Sequence, residues 1–115
     1  MITIPATMHF DGARDQNSVT FQMDGHLPNK PKIIIFDRKV PSASAPKESY
    51  RVRYICGNVD SEGKPFTPNT VVELSISSHM NADNAEVVGA LNALLQIATL
   101  DGFSTMAVVN QRLPR

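Results

Sequence analysis

The residues of this chain best suited to chemistry are two arginines that alternate along one short segment. In Tyr50–Cys56 (YRVRYIC), Arg51 and Arg53 share one face of an extended strand, because side chains two residues apart point the same way. Guanidinium groups bind carboxylates and phosphates through paired hydrogen bonds. Residues 30–53 carry seven basic and two acidic side chains, which makes them a candidate surface for anions or nucleic acid. Edge strands also carry lysine and arginine as solvated charges, so charge alone leaves both interpretations open.

Side chains typical of catalytic sites are scattered through the sequence. The three histidines lack the spacing of metal-binding motifs, and the single cysteine, Cys56, cannot form a common zinc site. We expect Cys56 to be a buried residue at a strand end. Glu73 has no second carboxylate nearby in sequence, and we expect it to pair with Arg51 or Arg53 across a sheet. The sequence therefore predicts no enzyme, no cofactor and no metal site.

Length and composition indicate one compact domain. The chain has 115 residues, of which 42% are hydrophobic, and its formal net charge is zero. Its apolar runs are far shorter than the ~20 residues that a helix needs to cross a bilayer, so no membrane partner is expected. One cysteine allows no disulfide within the chain, which fits a reducing compartment.

Strand patterns fill the sequence before residue 80. Alternating or β-branched residues separated by proline, glycine and polar residues are typical of short strands in a β-rich fold. The loops are predicted at residues 41–48 and 57–68. The predicted strands are 2–10, 19–23, 32–40, 50–56 and 69–77.

A helical pattern begins at Asp83. Apolar residues follow at helical spacing, and Asn81 or Asp83 is the predicted N-cap, with Glu86 in the first turn. Ser104 is expected to cap a second short helix that ends near Gln111. Strands first and helices last predict an α+β fold with an antiparallel sheet. The apolar stripe of the first helix is Val87, Leu91, Leu94, Leu95 and Ala98.

The first helix has no charged residue between Glu86 and Asp101. A helix that faces solvent normally carries lysine, glutamate and arginine on its outer face. We therefore expect both faces to be covered, one of them by a second copy of the chain. The residues predicted to contact that copy are Gly89, Asn92, Ala93 and Gln96.

The order of these elements resembles the coat proteins of single-stranded RNA bacteriophages of the levivirus type. The resemblance covers residues 32–115: a strand (SYRVRYI), a polar loop, a strand (NTVVELSIS) and a capped helix (NADNAEVVGALNALLQ) followed by a short terminal helix. It implies a single coat-protein domain, 1–115, in an interlocked homodimer whose helices reach across the partner's sheet. That domain would consist of an N-terminal hairpin (1–29), a main sheet (32–78) and two helices (82–112).

The resemblance also implies a function. Dimers of such proteins assemble into an icosahedral shell inside the bacterial host cytoplasm, with the sheet facing the RNA, and the mature location is the virion. The loop at 57–68 would gather around the symmetry axes. The inner sheet face binds a genomic RNA hairpin, which represses translation and marks the genome for packaging.

The RNA-binding residues follow from the same resemblance. Arg53 matches a residue that contacts the phosphate backbone, and Arg51 lies two positions earlier on the same face. Arg38 is expected on that side as well. Asn69 occupies a position where well-known members have a tyrosine that stacks on an RNA base. An asparagine side chain cannot stack on a base as an aromatic ring does, so base stacking is not expected at this position. The neighbouring strand contributes Asn69, Val71, Glu73 and Ser75.

A second interpretation comes from a different class of protein. The same α+β homodimer could be a non-viral module that binds a small ligand or peptide over its sheet. That protein would need a concave pocket and would form discrete dimers without particles.

Overall fold

Five antiparallel strands in sequence order form one sheet, β1-β2-β3-β4-β5. The computed structural model describes residues 3–114, except for the side chain of Arg14. The chain divides into a sheet unit, which ends at Met80, and a helical unit, which begins at Asn81. The strands are β1 (Met8–Asp15), β2 (Ser18–Met23), β3 (Lys32–Lys39), β4 (Lys47–Val59) and β5 (Pro65–His79).

The N-terminal hairpin belongs to the same sheet as the later strands. Its first strand was expected at 2–10 but runs over Met8–Asp15, and residues 1–2 lie outside the described part. The turn follows at once, where the Asp15 carboxylate accepts a hydrogen bond from the Asn17 amide at 2.7 Å. β2 then pairs with β3, so the hairpin extends the main sheet.

The hairpin of β4 and β5 is longer than the sequence predicted. The expected loop at 57–68 is wrong, because only residues 60–64 form the turn. Asp60 Oδ1 accepts hydrogen bonds from the Glu62 and Lys64 amides, both at 2.9 Å, and Gly63 adopts a φ of 81°. The prolines misled the prediction, since Pro65 starts a strand and Pro68 lies in an edge strand, where proline is tolerated.

Strand register separates the sheet into two faces. One face is apolar and aromatic. The ring of Phe21 makes T-shaped contacts with the rings of Phe10 and Phe36, with centroid distances of 5.9 and 5.7 Å. The other face is aliphatic near Ile35 and Ile55 and polar beyond them. Cross-strand pairing places these residues together on the apolar face: Val19, Phe21, Ile34, Phe36, Tyr50, Val52, Tyr54, Val72, Leu74 and Ile76.

The apolar face is accessible to solvent. Of the residues that the structure describes, no hydrophobic side chain is buried, and Val72 is 65% exposed. Cys56 was expected at a strand end as a buried residue, but it lies inside β4 and is half-buried. An apolar sheet face of this extent normally packs against another layer of structure.

The helical unit contains one α-helix, α1 (Asn84–Ala98). Asp83 is its N-cap as predicted, since its side chain accepts a hydrogen bond from the Ala85 amide at 3.0 Å, and Glu86 lies in the first turn. The helix ends at Ala98, and the hydroxyl of its C-cap residue, Thr99, donates to the Leu95 carbonyl at 3.0 Å.

The predicted second helix is only a short π-helical turn, Thr105–Val109. Ser104 makes no capping hydrogen bond from its side chain, so the prediction that it caps a helix is wrong. The turn is closed by a hydrogen bond from the Asn110 amide to the Thr105 carbonyl at 2.9 Å. No helix within residues 3–114 is long and apolar enough to cross a membrane.

Candidate nucleic-acid interface

Three strands bring arginines and carboxylates together on the polar face of the sheet. Asp37 of β3 lies opposite Arg51 of β4, which in turn lies opposite Ser75 of β5. One step along β4, Arg53 lies opposite Glu73. Residues directly opposite each other in an antiparallel pair are close enough for their side chains to interact. We call Asp37, Arg51, Arg53 and Glu73 the charge cluster.

Asp37 is the centre of the charge cluster. Its Oδ1 accepts a hydrogen bond from the Ser18 hydroxyl at 2.7 Å. Its Oδ2 accepts from Arg53 Nη2 at 2.9 Å and from Arg51 Nη2 at 3.3 Å. Arg51 Nε also lies 3.7 Å from Glu73 Oε1, which confirms the expected ion pair across the sheet.

The environment of Asp37 favours the ionised carboxylate. The hydrogen bond from Ser18 is the largest influence and lowers the pKa of Asp37, while partial burial opposes it. Hydrogen bonds from Arg53 and Arg51 lower the pKa further, so the result is below the ordinary value. The charge cluster therefore contains two guanidinium groups balanced by two carboxylates.

The strand register places most of the predicted RNA-binding residues on this one face. In β5, Val71 and Ser75 lie on the same face as Glu73, because each is two residues away from it. Asn69 is two residues before Val71 and lies on that face as well. Arg38 does not follow them. It lies opposite Tyr50, so it belongs to the other face, and its Nε donates to Asn17 Oδ1 at 3.1 Å.

The sequence prediction missed Asp37 and Ser18. The sequence did contain an indication of the role of Asp37. Alternation in KIIIFDRKV puts its carboxylate on the same strand face as Ile33 and Ile35. A charge in an aliphatic line needs a partner, and the arginines of the next strand are its partners. Ser18 had no comparable signal, since its role depends on the pairing of β2 with β3.

A polar cleft opens beside the charge cluster. It has a volume of about 380 Å³, and Arg38 also reaches it from beside Asp37. Its lining residues are Asp15, Asn17, Ser18, Asp37, Arg38, Lys39, Ser49, Arg51 and Ser75. Hydroxyl and basic groups of this kind can bind phosphate and ribose oxygens. No group of three or more metal-binding side chains occurs among the residues for which placement is described.

The predicted partner-facing residues of α1 line one groove of the helical unit. Gly89, Asn92, Ala93 and Gln96 flank this groove together with two of their neighbours. All four are exposed. The small side chains at positions 89 and 93 leave room for close approach of another backbone, but nothing in this unit covers them.

Comparisons with known proteins establish the fold. No protein-family model and no curated protein matches the sequence. Solved structures do match. The virus-like particle of Wenzhou levi-like virus 4 aligns over 99% of this chain and 83% of its own, with a TM-score of 0.77 and 12% identity. The virus-like particle of bacteriophage ESE020 aligns over 90% of this chain and 83% of its own, with a TM-score of 0.73 and 18% identity.

A third match has the same character. The virus-like particle of Beihai levi-like virus 32 aligns over 98% of this chain and 92% of its own, with a TM-score of 0.68 and 12% identity. The expected resemblance to levivirus-type coat proteins is therefore confirmed at the level of the fold. Each of the three names describes a particle, and the similarity is to the protein chain of that particle.

Proposed function

We propose that this protein is the capsid protein of an RNA bacteriophage. The whole chain, residues 1–115, acts as one coat-protein domain that dimerises, self-assembles into an icosahedral shell and binds genomic RNA on the polar sheet face. Its role is structural rather than enzymatic, and its location is the virion, assembled in the host cytoplasm. The observation that carries this proposal is the structural match to virus-like particles over 90–99% of the chain.

The apolar surfaces of both units support the dimer. The sheet unit leaves its aromatic face exposed. The helix α1, which has no charged residue after Glu86, leaves Val88, Leu94 and Ile97 each about half exposed. Exposed apolar areas larger than a few hundred Å² mark interaction sites. A second copy of the chain supplies the complementary apolar surfaces, as the interlocked arrangement of levivirus coat proteins requires.

The polar sheet face supports RNA binding. Arg51 is 43% exposed, and Lys39 and Ser49 line the cleft beside it. Arginine, lysine and hydroxyl groups are the common donors to phosphate and ribose oxygens. Repression of translation additionally requires one RNA hairpin to bind more tightly than a scrambled hairpin, which a competition assay measures.

Electron microscopy of the protein expressed alone tests the capsid role. We expect uniform round particles in negative stain, and absorbance at 260 nm in excess of that at 280 nm on the same fraction. A small dimer free of nucleic acid, unable to assemble when RNA is added, would contradict the proposal. That outcome would favour the non-viral homodimer that binds a ligand or peptide over its sheet.

Replacing both Arg51 and Arg53 with alanine tests the RNA face. We expect the double variant to form dimers but to package less RNA, because a guanidinium group on this face supplies a phosphate contact. The ratio of RNA to protein in purified particles measures the effect. Arg112→Ala, outside the sheet, is the control and should leave the ratio unchanged. Equal RNA content in all particles would exclude the role of this face.

A further inference from the structure

The two arginines of the charge cluster differ in how accessible they are. The Arg51 side chain is 43% exposed, and its contacts with carboxylates are long, at 3.3 and 3.7 Å. The Arg53 side chain is 26% exposed and bonds Asp37 at 2.9 Å. The Nε atom of Arg53 is buried and has no hydrogen-bond partner among the described residues. An incoming phosphate can therefore reach Arg51, while Arg53 is already engaged.

The carboxylate that engages Arg53 is fixed in place. Asp37 is 16% exposed, and its Oδ1 is held at 2.7 Å by the hydroxyl of Ser18, a residue that is 6% exposed. Charge-assisted hydrogen bonds of this length are the strong ones. Because Oδ1 is anchored, Oδ2 remains directed at both guanidinium groups. Its negative charge stays beside the arginines when a phosphate approaches.

We propose that Asp37 is a built-in competitor of RNA phosphate. It occupies Arg53 and repels a phosphate that approaches Arg51, so this one carboxylate sets how tightly the sheet face binds RNA. Arg51 contacts phosphate, whereas Arg53 is a positioning residue that remains paired with Asp37. This inference rests on the proposed RNA binding and specifies which residue carries it.

Salt dependence distinguishes a phosphate contact from an internal ion pair. Each contact with a single strand adds about 0.7 to the slope of log affinity against log salt concentration. One contact therefore corresponds to a loss of about threefold in affinity between about 50 and 200 mM salt. An arginine that remains paired with a carboxylate of its own chain adds nothing to this slope.

The experiment uses the full chain, purified and freed of RNA, with a short fluorescent oligouridylate as the probe. We expect Asp37→Asn to raise the affinity about threefold or more at low salt and to steepen the slope by about 0.7, because Arg53 becomes available. Adding Arg53→Ala to Asp37→Asn should remove the gained slope. Asp11→Asn is the matched control: it removes the same charge from β1, where Asp11 bonds the Gln22 amide at 3.0 Å.

The single arginine variants give an independent measurement that does not require Asp37→Asn to fold. Arg51→Ala should reduce the slope by about 0.7, while Arg53→Ala should leave it unchanged. An equal loss of slope in both variants would overturn the inference. So would an Asp37→Asn protein that folds and binds like the original chain or like Asp11→Asn.

The outcomes also separate this inference from the proposed function. If the original chain binds RNA and assembles, but Asp37→Asn changes nothing, only the role of Asp37 fails. If the original chain does not bind the probe and Asp37→Asn does, the competition is supported. If neither binds, both the inference and the RNA-binding part of the proposed function are wrong.

Discussion

The carboxylate of Asp37 receives hydrogen bonds from side chains of two other strands, Ser18 on β2 and Arg51 and Arg53 on β4. It thereby connects three strands through side chains as well as through the backbone. Partly buried charge-assisted hydrogen bonds stabilise a fold by about 1.5–3 kcal/mol each relative to their loss. Asp37 is therefore important for folding, apart from its proposed effect on RNA affinity.

Asp37→Asn should change how the free energy of unfolding depends on pH. The folded state lowers the pKa of Asp37, so its contribution is fully present above the unfolded value of about 3.9 and is lost as the pH falls through the folded value. We expect the original chain to be more stable than the variant by about 1–3 kcal/mol at neutral pH. Urea unfolding across a pH series should show this difference shrinking below about pH 4, and a difference independent of pH would contradict the prediction.

Gly57→Ala should destabilise the sheet. A Cβ atom at Gly57 would lie 2.6 Å from Pro31 Cδ and 3.0 Å from the Lys30 backbone, and the Gly57 amide donates to the Pro31 carbonyl at 2.8 Å. We expect a loss of about 1–3 kcal/mol in the free energy of unfolding, because the backbone itself must shift. Urea unfolding measures it. Gly12→Ala is the control, since a Cβ there meets nothing within 4 Å, and equal losses in both variants would refute the steric explanation.

At the residue scale, the sequence predicted the arginines but not what neutralises them. Alternation alone was enough to put Arg51 and Arg53 on one face, and the expected pairing across a sheet brought Glu73 within reach of them. Arg38 was predicted on the wrong face. Alternation divides the residues of β3 between two faces, but it does not show which face carries the arginines of β4. The pairing of β3 with β4 shows this, because it places Arg38 opposite Tyr50. Cross-strand pairing is a property of register, which a single strand does not encode.

At the scale of elements, β2 and β3 were predictable because alternating or β-branched residues were bounded by turn residues. The helix α1 was predictable because periodicity and capping agreed. The errors occurred where a local signal conflicted with pairing. Pro65 and Pro68 were interpreted as loop residues, yet both lie in β5, at the edge of the sheet. An edge strand tolerates proline because the missing backbone N–H can face away from the neighbouring strand. Near Ser104 the apolar pattern was too short for a stable helix, and a single π-helical turn formed instead.

Ala93→Lys should prevent the association of chains through α1. Ala93 lies in the groove with Gly89, Asn92 and Gln96, and an ammonium group there would be buried without a counter-ion in the proposed dimer. We expect size-exclusion chromatography with light scattering to show loss of the dimer. Ala93→Ser, which changes size little and adds no charge, should still dimerise. A stable dimer of the lysine variant would show that this face is not an interface.

At the scale of the whole molecule, no hydrophobic residue of the described chain is buried, although 42% of the sequence is hydrophobic. A protein that buries its apolar surface only on association gains stability with concentration. We therefore expect the unfolding temperature of dissociated, unassembled protein to rise with protein concentration. Calorimetry over a hundredfold dilution series measures this, and a constant temperature would contradict association as the source of stability.

The balance of charge has a consequence for what a particle would contain. The formal net charge of the chain is zero, and the charge cluster on the polar face is itself balanced. A shell built from such subunits has no net positive charge to offset the phosphates of an enclosed genome, each of which carries one negative charge. The nucleic acid must then bring its own small cations, such as magnesium or polyamines, into the interior. Withdrawal of these ions should swell or burst filled particles while leaving empty ones intact.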